Sequence, residues 1–270
     1  MRENLKPSEN IRAEIADFPR GFEPFNGDGI LVPEDNNASL FRDIFLRTDK
    51  DLQEYCNDYM FRIGYTREES IITKDYSYFK GNSPVLLVAH LDKVYPHPVD
   101  SLFINREDNY IIGALQDMPY QLGADDRAGV YAIMLILKKG FRPYVLFTLD
   151  EEVGELGALK AGHEIDSPDV RYMIEFDRAN RLDCVFYNDQ NQEFINYVEG
   201  FGFRSAEGSN TDIKQLAHLW NISGVNLSCG YYDAHKQFSD RLYLWKLIDN
   251  IQRVEEMLKK LPENTFRPEF

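Results

Sequence analysis

Three mostly apolar runs constrain this chain more than anything else in it: PVLLVA at 84–89, YVLFTL at 144–149 and YMIEF at 172–176. A strand with one wet face alternates polar and apolar residues, whereas a strand covered on both faces reads as a nearly continuous hydrophobic run. Such strands need helices on either side, and the segments between them supply these. Asp126–Lys139 carries Ala128, Val130, Tyr131, Ile133, Met134, Leu135 and Leu137 and reads as a largely buried helix. Gly154–Gly162, Gln192–Phe201 and Thr211–Trp220 read as further helices, Gly224–Leu227 as another strand, and Asp240–Leu261 as a long amphipathic helix. Upstream, one helix from Ser39 to about Ile63 and short strands at Ser70–Thr73 and Tyr76–Phe79 are expected. The fold class is therefore α/β, a mixed, mostly parallel sheet flanked by helices in a three-layer sandwich.

Residues 1–37 are rich in proline, glycine and asparagine without a sustained period, and read as an irregular arm packed on a single domain of residues 38–270. The formal net charge of −15 argues against a nucleic-acid surface, because phosphate binding needs a basic face. No secretory h-region opens the chain, and the longest apolar stretch outside the strands, Val130–Leu137, is too short for a bilayer. Cys56, Cys184 and Cys229 show no paired spacing and read as structural thiols. A soluble cytoplasmic protein is expected, with no nucleic-acid or membrane partner.

The strands end on chemistry. His90 follows PVLLVA, Glu151–Glu152 follow YVLFTLD, and Asp177 follows YMIEF. In open α/β sheets, ligands bind beyond the carboxyl ends of the strands, so three strands deliver metal-binding groups to one edge. Asp125 lies in the glycine-flanked turn LGADDRAG, and His235 in a loop after GVNLSCG. Imidazole nitrogen and carboxylate oxygen are the donors zinc takes. Asp125 can offer one oxygen to each of two ions about 3.5–4 Å apart. His90 with Asp177 then completes one ion, and His235 with Glu152 the other. Glu151 points away from its neighbour in an extended chain and is left to carry protons. Asp92, two residues after His90, can hold the distal imidazole nitrogen. Asp126 is the competitor to Asp125 for the bridging position.

VAHLDKV, LGADDRAGVYA, LDEEVGELGA, IEFD and CGYYDAH together resemble the motif series of the co-catalytic di-zinc exopeptidases, the group that includes peptidase T and the bacterial leucyl aminopeptidases. The resemblance spans about two thirds of the chain, from Val85 onward. It implies that His90, Asp125, Glu152, Asp177 and His235 are zinc ligands, Glu151 the general base and Asp92 the residue orienting His90. Two departures stand out. Only Arg178–Ala234 separates the last carboxylate ligand from the last histidine, which leaves no room for the lid domain of the lidded members. Arg127 replaces the usual lysine, a change expected to suit the surface.

The function implied is a zinc-dependent metallopeptidase, an aminopeptidase acting on small peptides, with cobalt or manganese as substitute metals. The alternatives are a deacylase acting on small N-acyl compounds and a non-catalytic binding protein that kept the fold. Tyr231 and Tyr232 read as packing residues that can reach an oxyanion, and Ser209–Thr211 as a simple helix cap.

Overall fold

The computed structural model describes residues 21–25, 37–95 and 97–270. Strand β1 (Phe22–Pro24) and helices α1 (Asn37–Phe45) and α2 (Asp49–Arg62) lead into β2 (Ser70–Ile72), β3 (Tyr76–Phe79) and β4 (Ser83–His90). Strands β5 (Ser101–Asn105), β6 (Tyr110–Leu115) and β7 (Met118–Tyr120) precede α3 (Ala124–Lys138), β8 (Pro143–Thr148), α4 (Leu156–Glu164) and β9 (Tyr172–Arg178). The chain continues through β10 (Asp183–Val185), α5 (Gln192–Glu199), β11 (Arg204–Ser205), α6 (Asp212–Trp220) and β12 (Gly224–Ser228). It closes with β13 (Tyr231–Tyr232), β14 (Arg241–Leu242) and α7 (Leu244–Lys259).

The fold is α/β with mixed sheets. The larger has the order β11-β10-β12-β9-β4-β8-β3-β2, and its centre, β12, β9, β4 and β8, is parallel throughout. Successive residues of β4 serve opposite faces, as the period of two requires. Val85, Leu87 and Ala89 join Phe147, Ile174 and Phe176 in one core, which α1, α2, α3 and α7 cover. Leu86 and Val88 join Leu146 and Met173 in another, under Ala158 of α4 and Ile213, Leu216 and Trp220 of α6. Burial on both faces is why these strands lack a polar alternation. Every residue of α3 from Ala124 to Leu137 is buried, so that helix has no wet face either.

Three sequence expectations change. The helix expected over 39–63 is two, because Thr48 caps a new start: its hydroxyl oxygen accepts the Asp51 N–H at 3.2 Å. The last helix begins at Leu244 and not Asp240, since Arg241 and Leu242 pair with β13. A second sheet, β1-β5-β6-β14-β13 with β7 on β6, has no counterpart in the sequence reading apart from the chain it uses. Most of the expected N-terminal arm lies outside the described residues; within it, β1 pairs with β5 and Phe25 is buried. Cys56, Cys184 and Cys229 are buried free thiols. Among the described residues, no helix is long and apolar enough to cross a membrane.

Helix α3 approaches β9 closely at Gly129, where a Cβ would stand 2.4 Å from both the Asp126 carboxylate and the Phe176 carbonyl oxygen. Backbone cannot yield cheaply there. Gly129→Ala is expected to lower stability by about 1–3 kcal/mol in urea unfolding of the metal-free chain; an unchanged midpoint would show that α3 can shift.

Candidate functional site

The carboxyl ends of β4, β8 and β9 meet at one edge of the larger sheet, and each turns a polar residue inward. His90, the last residue of β4, is fully buried. Its Nε2 lies 2.9 Å from Asp125 Oδ1, 3.7 Å from Asp177 Oδ1 and 3.9 Å from Glu151 Oε2. Asp125 presents its other oxygen to a second imidazole, His235 Nε2, at 3.2 Å, and that nitrogen is 3.0 Å from Glu152 Oε1. The carboxylate of Asp125 thus stands between the two histidines. Asp177 also approaches Nε2 of His90, and Glu152 approaches Nε2 of His235. All seven residues singled out in the sequence come together.

Asp126, the competitor, has a different task. Its Oδ1 accepts the Gly129 N–H at 2.8 Å, three residues on, as a helix cap does. Helical backbone angles begin only after Asp126, which fits that position. Its second oxygen is buried without a hydrogen-bond partner, and the carboxylate can still approach His90 and Asp177 within ligand distance of a shared ion.

Asp92 does more than hold His90. Its Oδ1 is 3.5 Å from His90 Nδ1, and its two oxygens accept the N–H groups of Glu151 and Glu152, each at 3.2 Å. The carboxylate therefore fixes the backbone of the glutamate pair, while the Asp92 carbonyl, 3.2 Å from His90 Nδ1, holds the imidazole with the carboxylate close by.

Asp177 is held by groups the sequence reading left aside. Along β9 and β12 the register jumps from Glu175↔Asn226 to Arg178↔Ser228, an extra residue on β9. Such a bulge re-aims a side chain and leaves its peptide unpaired. Asn226 repairs the loss: its Oδ1 accepts the Asp177 N–H at 2.9 Å and its Nδ2 donates to the Asp177 carbonyl at 2.8 Å. Tyr231 donates to Asp177 Oδ1 at 3.1 Å, so this tyrosine supports a carboxylate and is not mere packing. Thr211 occupies the cap position of α6 but makes no side-chain cap there. Its hydroxyl instead lies 2.8 Å from Glu175 Oε2 and 3.1 Å from Asp177 Oδ2. Behind these, Asp212 accepts from Thr148, and both Asp212 and Glu175 are fully buried. A glutamate inside the YMIEF run and an asparagine inside GVNLS were the visible signals, since each breaks a buried strand.

Arg127 corrects an expectation. It is 1% exposed, pairs with Asp49 at 2.7 Å and donates to the Arg47 carbonyl, tying α2 to the start of α3.

The electrostatics point to a deficit of positive charge. Among the described residues, no lysine or arginine pairs with Asp125, Asp126, Glu151, Glu152, Asp177, Glu175 or Asp212. Burial, with the neighbouring Asp177, Asp212 and Asp125, pushes Glu151 up to about 9 against the pull of His90. Burial and Asp125 raise Asp177 to about 7. Hydrogen bonds to Asp125 and Glu152 raise His235 to about 10. Burial opposes charge on His90, yet its carboxylate partners carry it well above the imidazole range. Burial is likewise outweighed at Asp125, which His235 and His90 hold far below the carboxylate range. Four or five carboxylates around two imidazoles is a donor set that fits divalent cations.

A pH prediction follows for the metal-free chain. Glu151, Asp177 and His235 all bind protons more tightly folded than unfolded. The stability they contribute is complete below their unfolded values and is lost as pH rises through about 7 to 10. Between pH 6 and pH 9.5, the unfolding free energy in urea is expected to fall by several kcal/mol, mostly through the buried Glu151, since solvent screens the half-exposed His235. A flat profile would contradict the proton placement.

Comparison with known proteins bears on the fold. No protein-family model matches the sequence, and no curated protein matches it. Solved structures do. A tripeptidase from Staphylococcus aureus superposes with a TM-score of 0.64 at 13% identity, over 83% of this chain and 97% of that one. Aminopeptidase PepT from Bacillus cereus gives 0.62 at 11% identity, over 83% and 98%. A Zn-dependent exopeptidase from Parabacteroides distasonis gives 0.56 at 15% identity, over 84% and 99%. The chain shares their fold.

Proposed function

We propose that this chain is a zinc-dependent metallopeptidase, an aminopeptidase that hydrolyses the first bond of small peptides. The observation that carries the proposal is Asp125 set between His90 and His235, each imidazole backed by a further carboxylate. His90, Asp125 and Asp177 would hold one ion and His235, Asp125 and Glu152 the other. Bound there, zinc supplies a Lewis acid for the scissile carbonyl and makes water acidic enough to lose a proton near neutral pH.

The chain's own residues do the rest. Glu151 faces the cluster, and its carboxylate makes no hydrogen bond to another described residue, so it is free to take the proton of the attacking water. The same carboxyl group returns that proton to the leaving amine nitrogen. Asp92 keeps Glu151 and His90 in register through both turnovers of the proton. Tyr231 and Thr211 donate to the two oxygens of Asp177 and fix its orientation. The similar fold of a tripeptidase and of aminopeptidases supports peptide over N-acyl substrates. We read the catalytic unit as residues 38–270, a three-layer sandwich without a lid, with residues 1–37 as an arm.

The test is direct. Protein reconstituted with zinc should hold two ions per chain by elemental analysis and release free amino acids from unblocked di- and tripeptides. Blocking the peptide's amino group should abolish turnover. Cleavage confined to N-acyl amino acids would move the assignment to a deacylase, and absence of metal uptake would remove it.

A further inference from the structure

The hairpin loop between β13 and β14 contributes His235, and it ends on a second group that reaches the same site. Asp240 is 2% exposed, and its Oδ2 accepts the N–H of Gly123 at 2.7 Å and of Ala124 at 3.3 Å. These are the two residues directly before Asp125. The contact is not a helix cap, because Asp126 already fills that place through Gly129. It holds the turn upstream, where the chain passes through Gly123 with φ of +71° and the stem of Lys93 lies so close that a Cβ at Gly123 would meet its Cδ at 2.2 Å. The turn is therefore clamped between a lysine stem and a carboxylate.

The loop carrying the clamp is itself braced. Its base is closed by the pairing of Tyr232 with Arg241, and Asp233 binds Lys236 Nζ at 2.6 Å and Arg241 Nη1 at 2.5 Å. One loop thus supplies His235 at its middle and fixes the Asp125 turn at its end.

We propose that Asp240 is a positioning residue that locks the bridging carboxylate of Asp125 to the loop bearing His235, so that a single loop sets the geometry of both metal positions. The proposal rests on the two-metal reading above. It makes the consequence of losing Asp240 differ from that of losing His235. Removing His235 takes one donor from one ion, whereas releasing the Asp125 turn disturbs the donor shared by both.

The experiment compares zinc affinity at both positions in the wild type, Asp240→Ala, Asp240→Asn and His235→Ala, by competition with a chromophoric chelator. Exchange of the Gly123 and Ala124 amide protons is followed in parallel in the metal-free chains. Asp240→Ala is expected to weaken both ions by about 10–100-fold and to speed exchange at both amides. His235→Ala should weaken one ion and leave those amides protected. Asp240→Asn keeps an oxygen acceptor and should restore both affinity and protection. Wild-type affinity in Asp240→Ala, loss of only one ion there, or failure of Asp240→Asn to restore binding in a folded chain would overturn the proposal. A wild-type chain that takes up no zinc would instead remove the metal reading on which the proposal stands.

Discussion

Replacing Glu151 by alanine is expected to lower kcat by about 10²–10⁴-fold while the chain still binds two metal ions. The side chain is about one-tenth exposed and sits 3.9 Å from His90 Nε2, close to the cluster yet without a hydrogen bond that anchors its carboxylate. Asp177 lies almost as far from that nitrogen, at 3.7 Å, but Tyr231 and Thr211 anchor its carboxylate. The neighbour of Glu151 shows the contrast: Glu152 lies 3.0 Å from His235 Nε2, so Glu152→Ala should cost metal as well as turnover. In the metal-free chain burial pushes Glu151 up to about 9, and a cation beside it lowers that value toward the range where a carboxylate can both take and return a proton near neutral pH. Elemental analysis alongside peptide hydrolysis separates the roles. Full activity in Glu151→Ala, or loss of metal from it, would reject the assignment as general base.

The second large effect belongs to Asp125. One of its oxygens meets His90 and the other His235, so Asp125→Ala would remove the donor that the two proposed ions share and leave two imidazoles without their partner. Dialysed Asp125→Ala is expected to retain almost no zinc, and its thermal unfolding should no longer respond to a chelator. The metal-free chain should also lose about 3–5 kcal/mol, the range for breaking a buried charged pair. Asp126→Ala is the control, since its carboxylate caps α3 through Gly129. That variant should lose on the order of 1 kcal/mol and keep metal. If Asp126→Ala released the metal and Asp125→Ala did not, the bridging role would belong to Asp126.

The central strands and the polar residues His90, Asp92, Glu151, Glu152 and Asp177 at their ends were legible because burial on both faces leaves an unmistakable record, and because a charged residue directly after such a run has few structural excuses. The second sheet was not legible. Its strands run from two to six residues, and its longest pair, β5 and β6, joins through Arg106–Asn109 with the left-handed Asn109 at φ 57°. That turn was a readable hairpin signal, but β14 and β13 join the sheet from far along the chain and leave no local trace. The supports of the site escaped for the same reason. Thr211 looks like a helix cap by position, and only the fold reveals that its hydroxyl faces Glu175 and Asp177. Arg127 looked suited to the surface because a cation in a polar turn usually is, whereas the packing of α2 buries it against Asp49.

The bulge at Asp177 and its repair by Asn226 bear on how the protein comes to be folded. His90, Asp125, Asp177 and His235 sit on strands and loops that meet only when β4, β9 and β12 have found their register, and Asn226 can grip Asp177 only in that register. Contacts so distant along the chain form late, after the helices and local turns. On the proposed metal reading, ion capture would therefore time the final step of assembly. Refolding followed by a metal-sensitive dye should lag behind the recovery of helical signal, and the lag measures how long the central strands take to settle.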